Sequence, residues 1–225
     1  MSARELISIV IPCYNQGPFL GECLASLKAQ TYQPLEVIVV DDGSGPETKR
    51  TITALQKEYA FQLITQENGG LSNARNTGVA SANGAYILPL DADNVLAPDA
   101  IERLHAFLHE TREKNPRIHF VYQDKVFFGS EDLYWPHSPY NLYRLLSENF
   151  ADACSLFTRQ VFDWGFRYNE RMRMGYEDWE FHLRLGLYGI EGVRYPGKTF
   201  YYRRWGFSMV NDADIRRPQL LRHIQ

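Results

Sequence analysis

The sequence predicts an α/β fold built on a mostly parallel sheet with helices on both faces. Three observations carry this. Short apolar runs rich in β-branched residues alternate four times with helical periodicities between residues 6 and 94. The connections between them are short, as in βαβ units. The runs are almost continuously apolar, as strands covered on both faces are.

Each element has its own signal. Residues 6–11 read as a buried strand stopped by Pro12, which cannot donate to a ladder. Phe19, Leu20, Cys23, Leu24 and Leu27 recur at helical spacing, and that helix ends near Thr31. A second strand over 35–40 runs into Asp41-Asp42-Gly43-Ser44. A polar helix over 47–59 and a third strand over 61–65 follow. The Gly69-Gly70 loop leads into a helix over 71–81, Asn83-Gly84 breaks it, and a fourth strand covers 85–90. Pro98 suits the first turn of a helix over 98–113, with Asp99 and Glu102 at its positive end.

Beyond that helix the rhythm is irregular. Residues 118–128 mix β-formers with polar residues. Residues 131–138 read as a loop whose Tyr134 and Trp135 pack on their own domain rather than serve as a sugar platform. Residues 140–150 read as a helix, 155–160 as a short strand followed by a turn, 177–187 as an amphipathic helix and 198–204 as a last strand. No linker or repeat interrupts the chain. The expectation is one domain over 1–225, with an α/β nucleotide-type half over about 1–97 and a covering half over about 98–225.

Bulk properties exclude several classes. The chain has 225 residues, 24 Lys+Arg against 27 Asp+Glu, and a net charge of −3, which offers no electrostatic case for nucleic acid. Cys13, Cys23 and Cys154 lie at no metal-like or disulfide-like spacing and read as small buried hydrophobes in a reducing compartment. No signal peptide is expected, since the apolar run over 6–11 is short and ends at Pro12, and no transmembrane segment is expected, since no apolar run approaches about 20 residues.

The loops at the carboxyl ends of the strands carry the chemistry, because open α/β sheets bind ligands there. Leu90-Asp91-Ala92-Asp93-Asn94 ends the fourth strand. Either Asp91 and Asp93, pointing to one side of an extended chain, ligate Mg²⁺ or Mn²⁺ beside a phosphate, or the triplet is a turn that caps the next helix. Asp41-Asp42 ends the second strand and offers an acceptor to a base or a ribose, or else starts a helix. Tyr14 could stack on a base, although its loop lacks the Gly-x-Gly-x-x-Gly pattern. The Gly69-Gly70 pair opens a helix whose positive end favours anions, and Arg75, one turn in, could reach a phosphate or pair on the helix surface. Glu177-Asp178 either supplies a general base or satisfies a helix dipole.

In this order, Ser8-Ile9-Val10-Ile11-Pro12-Cys13-Tyr14-Asn15, Val39-Val40-Asp41-Asp42-Gly43-Ser44, Asn68-Gly69-Gly70-Leu71-Ser72-Asn73-Ala74-Arg75-Asn76-Thr77-Gly78, Leu90-Asp91-Ala92-Asp93-Asn94 and Gly175-Tyr176-Glu177-Asp178-Trp179-Glu180 resemble the family-2 glycosyltransferases with a GT-A fold. The likeness is nearly unbroken over residues 6–99 and sparse until Glu177. It implies that Pro12 and Tyr14 line the nucleobase pocket, Asp42 bonds the base, Arg75 lies by the nucleotide and Asp91 faces the ribose side of the donor. It further implies that Asp93, in the family's DxD motif, holds a divalent cation, Mn²⁺ or Mg²⁺, bridging the diphosphate. Asp178 would be the catalytic base and Trp179 would lie near the acceptor sugar.

The activity so implied is inverting transfer of a sugar from a nucleotide-diphosphate donor, expected to be a UDP-sugar, to a hydroxyl of a saccharide or glycolipid acceptor. Polysaccharide or glycoconjugate synthesis in the cytoplasm is expected, with peripheral association at the inner face of the membrane left open. One position departs from the family pattern: Trp205 stands where many relatives have a metal-binding His before a Ser-Met pair, here Ser208-Met209. Either the metal has fewer protein ligands, or Arg203 or Arg204 offsets diphosphate charge. Two other classes compete: a non-catalytic nucleotide-sugar-binding module of a larger synthase, and a nucleotidyltransferase.

Overall fold

The computed structural model describes residues 4–205. Its centre is a twisted sheet in which nine strands pair among the described residues. The parallel core is β1 (Ile7–Cys13), β2 (Leu35–Asp42), β3 (Gln62–Gln66) and β4 (Tyr86–Pro89), in the spatial order β3-β2-β1-β4. β1 is flanked on both sides, Ile9 lying opposite Val37 of β2 and Leu88 of β4. Every residue of β1 and β4 is buried, which explains their almost continuously apolar character.

Side-chain alternation sorts this sheet into two cores. Ile7, Ile9, Ile11, Val39 and Leu88 pack on one face with Leu20, Leu24 and Leu27 of α1 (Gly17–Lys28) and Ile101, Leu104 and Leu108 of α4 (Ala100–Lys114). Val10, Ile38, Val40 and Ile87 pack on the other with Ala74 and Val79 of α3 (Leu71–Ser81) and Trp179, Phe181 and Leu185 of α7 (Glu177–Leu187). The more polar α2 (Pro46–Leu55) buries only Thr48 and Ile52. No helix of the described residues is long and apolar enough to cross a membrane.

The second half extends the same sheet instead of forming a separate layer. β8 (Leu156–Thr158) runs antiparallel between β4 and β6 (Ile118–Gly129), and β6 pairs in parallel with the long β9 (Glu191–Arg204). β5 (Val95–Leu96) adds to the outer side of β9. Four sequence expectations are corrected here. The last strand starts at Glu191, seven residues before the expected 198, because pairing along β6 holds polar residues extended. The 131–138 loop contains β7 (Leu133–Trp135), which pairs with β6. The helix expected over 140–150 shrinks to α5 (Leu142–Leu145), and α6 (Arg159–Asp163) replaces a turn.

Helix α3 approaches the sheet closely. A Cβ added at Gly78 would lie 2.3 Å from Val10 Cγ1 and 3.2 Å from Val40 Cγ2. The neighbours are branched core side chains that cannot yield, so glycine here sets the depth at which Arg75, one turn earlier, is buried. Gly78→Val should therefore destabilise the protein by about 1–3 kcal/mol, the cost of overpacking, and lower its melting temperature by several degrees. A melt unchanged from wild type would refute this tight seat.

Candidate active site

The loops following β1, β2 and β4 meet the end of β9 around a cleft of about 510 Å³. Pro12 and Tyr14 line it, Pro12 buried and Tyr14 51% exposed with its ring available for stacking. Asp42, Asp91 and Asp93 also face it, together with Arg173, Tyr202, Arg203 and Trp205. Parallel pairing puts Cys13 opposite Asp41, so the ends of β1 and β2 open at one edge. The acidic triplet does not continue in extended form. Ala92 and Asp93 make a turn closed by a bond from Asn94 N–H to Asp91 C=O (3.0 Å), and that turn brings both acids to the cleft.

Asp42 has a second task. Its Oδ1 accepts from Gly69 N–H (2.8 Å) and Gln66 Nε2 (2.7 Å), and its Oδ2 from Gly70 N–H (2.9 Å). The anion-favouring entry to α3 is thus occupied by the protein's own carboxylate. Gly70, at φ 90°, makes the turn that aims these amides. A base would meet whatever acceptor capacity Asp42 retains, since a carboxylate offers about four lone-pair sites.

Arg75 lies behind the cleft wall. It is 1% exposed, and its guanidinium donates to Asp91 Oδ1 (2.8 Å) and to Glu177 Oε1 (2.5 Å). Its ring neighbour is Tyr168, 5.4 Å from the guanidinium carbon. The cation thus ties the loop after β4 to the first turn of α7, and both its bonds are charge-assisted.

The entry to α7 is conformationally demanding. Gly175 and Tyr176 both have positive φ, 104° and 63°, and Tyr176 is the residue that precedes the helix. A tyrosine held left-handed is a local cost that the surrounding packing must support. The turn delivers Glu177 to Arg75 and leaves Asp178 on the next position. Asp178 accepts at Oδ1 from Asn149 Nδ2 (3.1 Å) and from Trp179 N–H (2.7 Å). Burial, then the charges of Glu177 and Asp152, raise its carboxyl above the usual carboxylate range. Trp179 is 2% exposed, its indole N–H donating to Leu145 C=O (2.6 Å).

A second groove, of about 370 Å³, adjoins this helix start, with Trp135, Asn149, Tyr176 and Trp179 in its walls. Its outer wall is anchored by Asp124, which takes a bidentate pair from Arg194 (2.7 and 2.8 Å), a hydroxyl from Tyr134 (2.5 Å) and the backbone N–H of His137 (2.9 Å). Tyr134 is thus tied to the domain through its hydroxyl while its side chain stays 38% exposed, and Trp135 is 53% exposed at the groove.

The residues around Asp93 fit a divalent cation in part. Its carboxyl is pushed up to about 6 by burial and by neighbouring Asp91, while a bond from Trp205 Nε1 (3.4 Å) opposes that shift. Two neighbouring carboxylates, one of them already paired with Arg75, still offer hard oxygens to a cation that completes its coordination with phosphate oxygens and water. An indole N–H donates and cannot ligate. Among the described residues no group of three or more His, Cys, Asp or Glu gathers for a metal. Ser208 and Met209 lie outside the described residues. Of the two arginines weighed from the sequence, Arg203 reaches the cleft, bonding Asp93 C=O (2.9 Å) and pairing with Glu22, while Arg204 faces Glu131 (3.4 Å).

Sequence reasoning missed Arg173, Tyr202 and Asn149. Arg173 projects beside Gly70 into the cleft and is exposed. Nothing in the local pattern marks these positions, because the fold alone brings them to the site.

The model of the family described as glycosyl transferase family 2 matches residues 8–171. The glycosyltransferase GlyG of Streptococcus pneumoniae is 39% identical over 108 residues, covering 47% of this chain and 36% of that protein. The chondroitin synthase of Escherichia coli is 43% identical over 101 residues, covering 43% of this chain and 14% of that protein. The chain thus spans well under two thirds of the curated relatives it matches. Among solved structures, Staphylococcus aureus TarS in complex with UDP aligns with a TM-score of 0.72 at 19% identity, over 97% of this chain and 64% of that one. The mannosyltransferase PcManGT of Pyrobaculum calidifontis, in complex with GDP-Man and Mn²⁺, aligns with a TM-score of 0.69 at 20% identity, over 89% and 57%. At these identities the likeness is one of fold.

Two outcomes follow from the buried charges. Arg75→Met strands Glu177 in the interior and should cost about 3–5 kcal/mol in denaturant melts, with Glu177→Gln added on top restoring part of it. No recovery in the double variant would count against the pairing. For Asp93, the native protein holds its proton more tightly than the unfolded chain, whose carboxyl titrates near about 3.9. Stability therefore falls as pH rises from there to about 6. With chelator present, Asp93→Asn should melt higher than wild type at pH 7 and converge with it near pH 4. A gap that does not depend on pH would contradict the raised carboxyl.

Proposed function

This chain belongs to glycosyl transferase family 2, and from that premise we propose that it moves a sugar from a nucleotide-diphosphate donor to an acceptor hydroxyl with inversion at the anomeric carbon. One observation carries the reading: a single buried guanidinium, Arg75, holds both Asp91 at the cleft and Glu177 beside Asp178. That clamp supports a site in which donor acids and base are registered to each other. The continuous sheet supports one GT-A domain, with a donor half over about 1–97 and an acceptor half over about 98–225.

In this reading Tyr14 stacks on the base above Pro12, Asp42 accepts from its edge and holds the Gly69-Gly70 loop against it, and Asp91 faces the ribose. Arg75 orients Asp91 without touching the donor. Arg173 and Arg203 lie where diphosphate charge would collect. Asp93, with Asp91 beside it, would hold Mn²⁺ or Mg²⁺. When bound, such a cation offsets the charge that develops on the leaving diphosphate. UDP- and GDP-Man-bound neighbours support a nucleotide-sugar donor, with a UDP-sugar preferred on the TarS likeness.

Asp178 then takes the proton of the acceptor hydroxyl. Desolvation makes its carboxylate a stronger base than an ordinary one. Trp179 and Trp135 wall the groove in which a saccharide or glycolipid acceptor would lie, and polysaccharide or glycoconjugate synthesis is the setting that fits. Action on the cytoplasmic side, with or without peripheral membrane contact, completes the reading. Trp205 in place of a metal-binding His favours one alternative, a nucleotide-sugar-binding module without transfer.

A thermal-shift screen of UDP-, GDP- and dTDP-sugars with and without Mn²⁺ identifies the donor, since ligand binding stabilises the fold by mass action. With that donor, Asp178→Asn should retain nucleoside-diphosphate binding and lose about 10²–10⁴-fold in turnover. Near wild-type turnover would remove Asp178 from the role of base. Donor binding without any turnover in the wild type would establish the binding-module alternative.

A further inference from the structure

The two oxygens of Asp178 are unequally engaged. Both hydrogen bonds to its carboxylate, from Asn149 Nδ2 (3.1 Å) and from Trp179 N–H (2.7 Å), fall on Oδ1. Among the described residues nothing bonds Oδ2. Asn149 reaches Asp178 from the segment following α5, and its own side chain forms part of the groove wall with Trp135 and Tyr176. We propose that Asn149 is a positioning residue for the transfer step, fixing Asp178 through Oδ1 so that Oδ2 takes the acceptor proton. This rests on the reading of Asp178 as the base.

The surroundings make an uncharged donor the suitable partner. Glu177 and Asp152 face the carboxylate and disfavour its ionised form, while Arg75 and Lys125 offset them. Both cations are committed elsewhere, Arg75 to Asp91 and Glu177 and Lys125 to Asp152 at 2.6 Å. Tyr168 lies close by, and burial keeps His182 neutral, its pKa lowered to about 4. Among these side chains only Asn149 donates a hydrogen bond to Asp178. Such a bond favours the ionised carboxylate, the form a base needs, while adding no charge to the groove. It also fixes the side-chain rotamer, so that no orientation remains to be found once the acceptor arrives. When the proton transfers, it passes from the acceptor hydroxyl to Oδ2 as the acceptor oxygen bonds the anomeric carbon and the donor's bond to the diphosphate breaks.

Asn149 is exposed, so its replacement leaves the core intact. The test is a carbon-detected NMR titration of the Asp178 carboxyl, assigned by its loss in Asp178→Asn, in wild type, Asn149→Ala and the isosteric Asn149→Asp. The midpoint should rise by about 0.5–1 pH unit in Asn149→Ala, and by more in Asn149→Asp, where a like charge replaces the donor. With the donor from the nucleotide screen, the acid limb of the turnover profile should move up in the same order, the donor KM staying unchanged. A wild-type titration midpoint in both variants would overturn the role of Asn149. A turnover loss of equal size at every pH would do the same. Turnover retained in Asp178→Asn would instead overturn the base assignment beneath it.

Discussion

One buried cation organises this molecule. Arg75 sits on α3 at the depth that Gly78 permits, with α3 pressed against β1 and β2. Its guanidinium holds Asp91, at the end of β4, and Glu177, at the start of α7, although 102 residues separate Arg75 from Glu177. Burying a guanidinium and a carboxylate is expensive, and the arrangement holds only because each charge meets its partner directly. The interaction gives specificity of placement more than stability. It registers the acid at the end of β4 against the acids at the start of α7.

The local geometry follows from that constraint. With Glu177 pulled to Arg75, the chain before it turns through two left-handed residues, and Asp178 is left beside Asn149. With Asp91 held from behind, the turn over Ala92 and Asp93 presents Asp93 to the cleft, against Trp205. Asp42 does similar work on the other side of the cleft, binding the Gly69 and Gly70 amides. Several acids that resemble ligand contacts in the sequence are therefore also part of the scaffold. A carboxylate can do both, since it has more lone pairs than any one partner uses.

The outer half of the site is built differently. Asp124 gathers Arg194 from β9, Tyr134 from β7 and the backbone of His137, and so shapes the groove near Trp135 and Tyr176. Its partners lie 10, 13 and 70 residues away in the chain, and none has a periodic signal. Sequence reading was weakest here for that reason. β7 and the early start of β9 depend on pairing with β6, not on their own hydrophobic pattern.

By itself the sequence determined the β-α alternation, the parallel core and the loops that carry Pro12, Tyr14, Asp42, Asp91 and Asp93, because strand burial and turn chemistry are written in neighbouring residues. It also determined the family, whose model spans the first four of the five ordered motifs. Only the tertiary structure decided that Arg75 faces Asp91 and Glu177, that Asp42 occupies the entry of α3, and that Trp205 approaches Asp93 as a hydrogen-bond donor. Which partner a charged side chain finds depends on depth, direction and competing charges from distant elements, and those exist only once the sheet has closed around them.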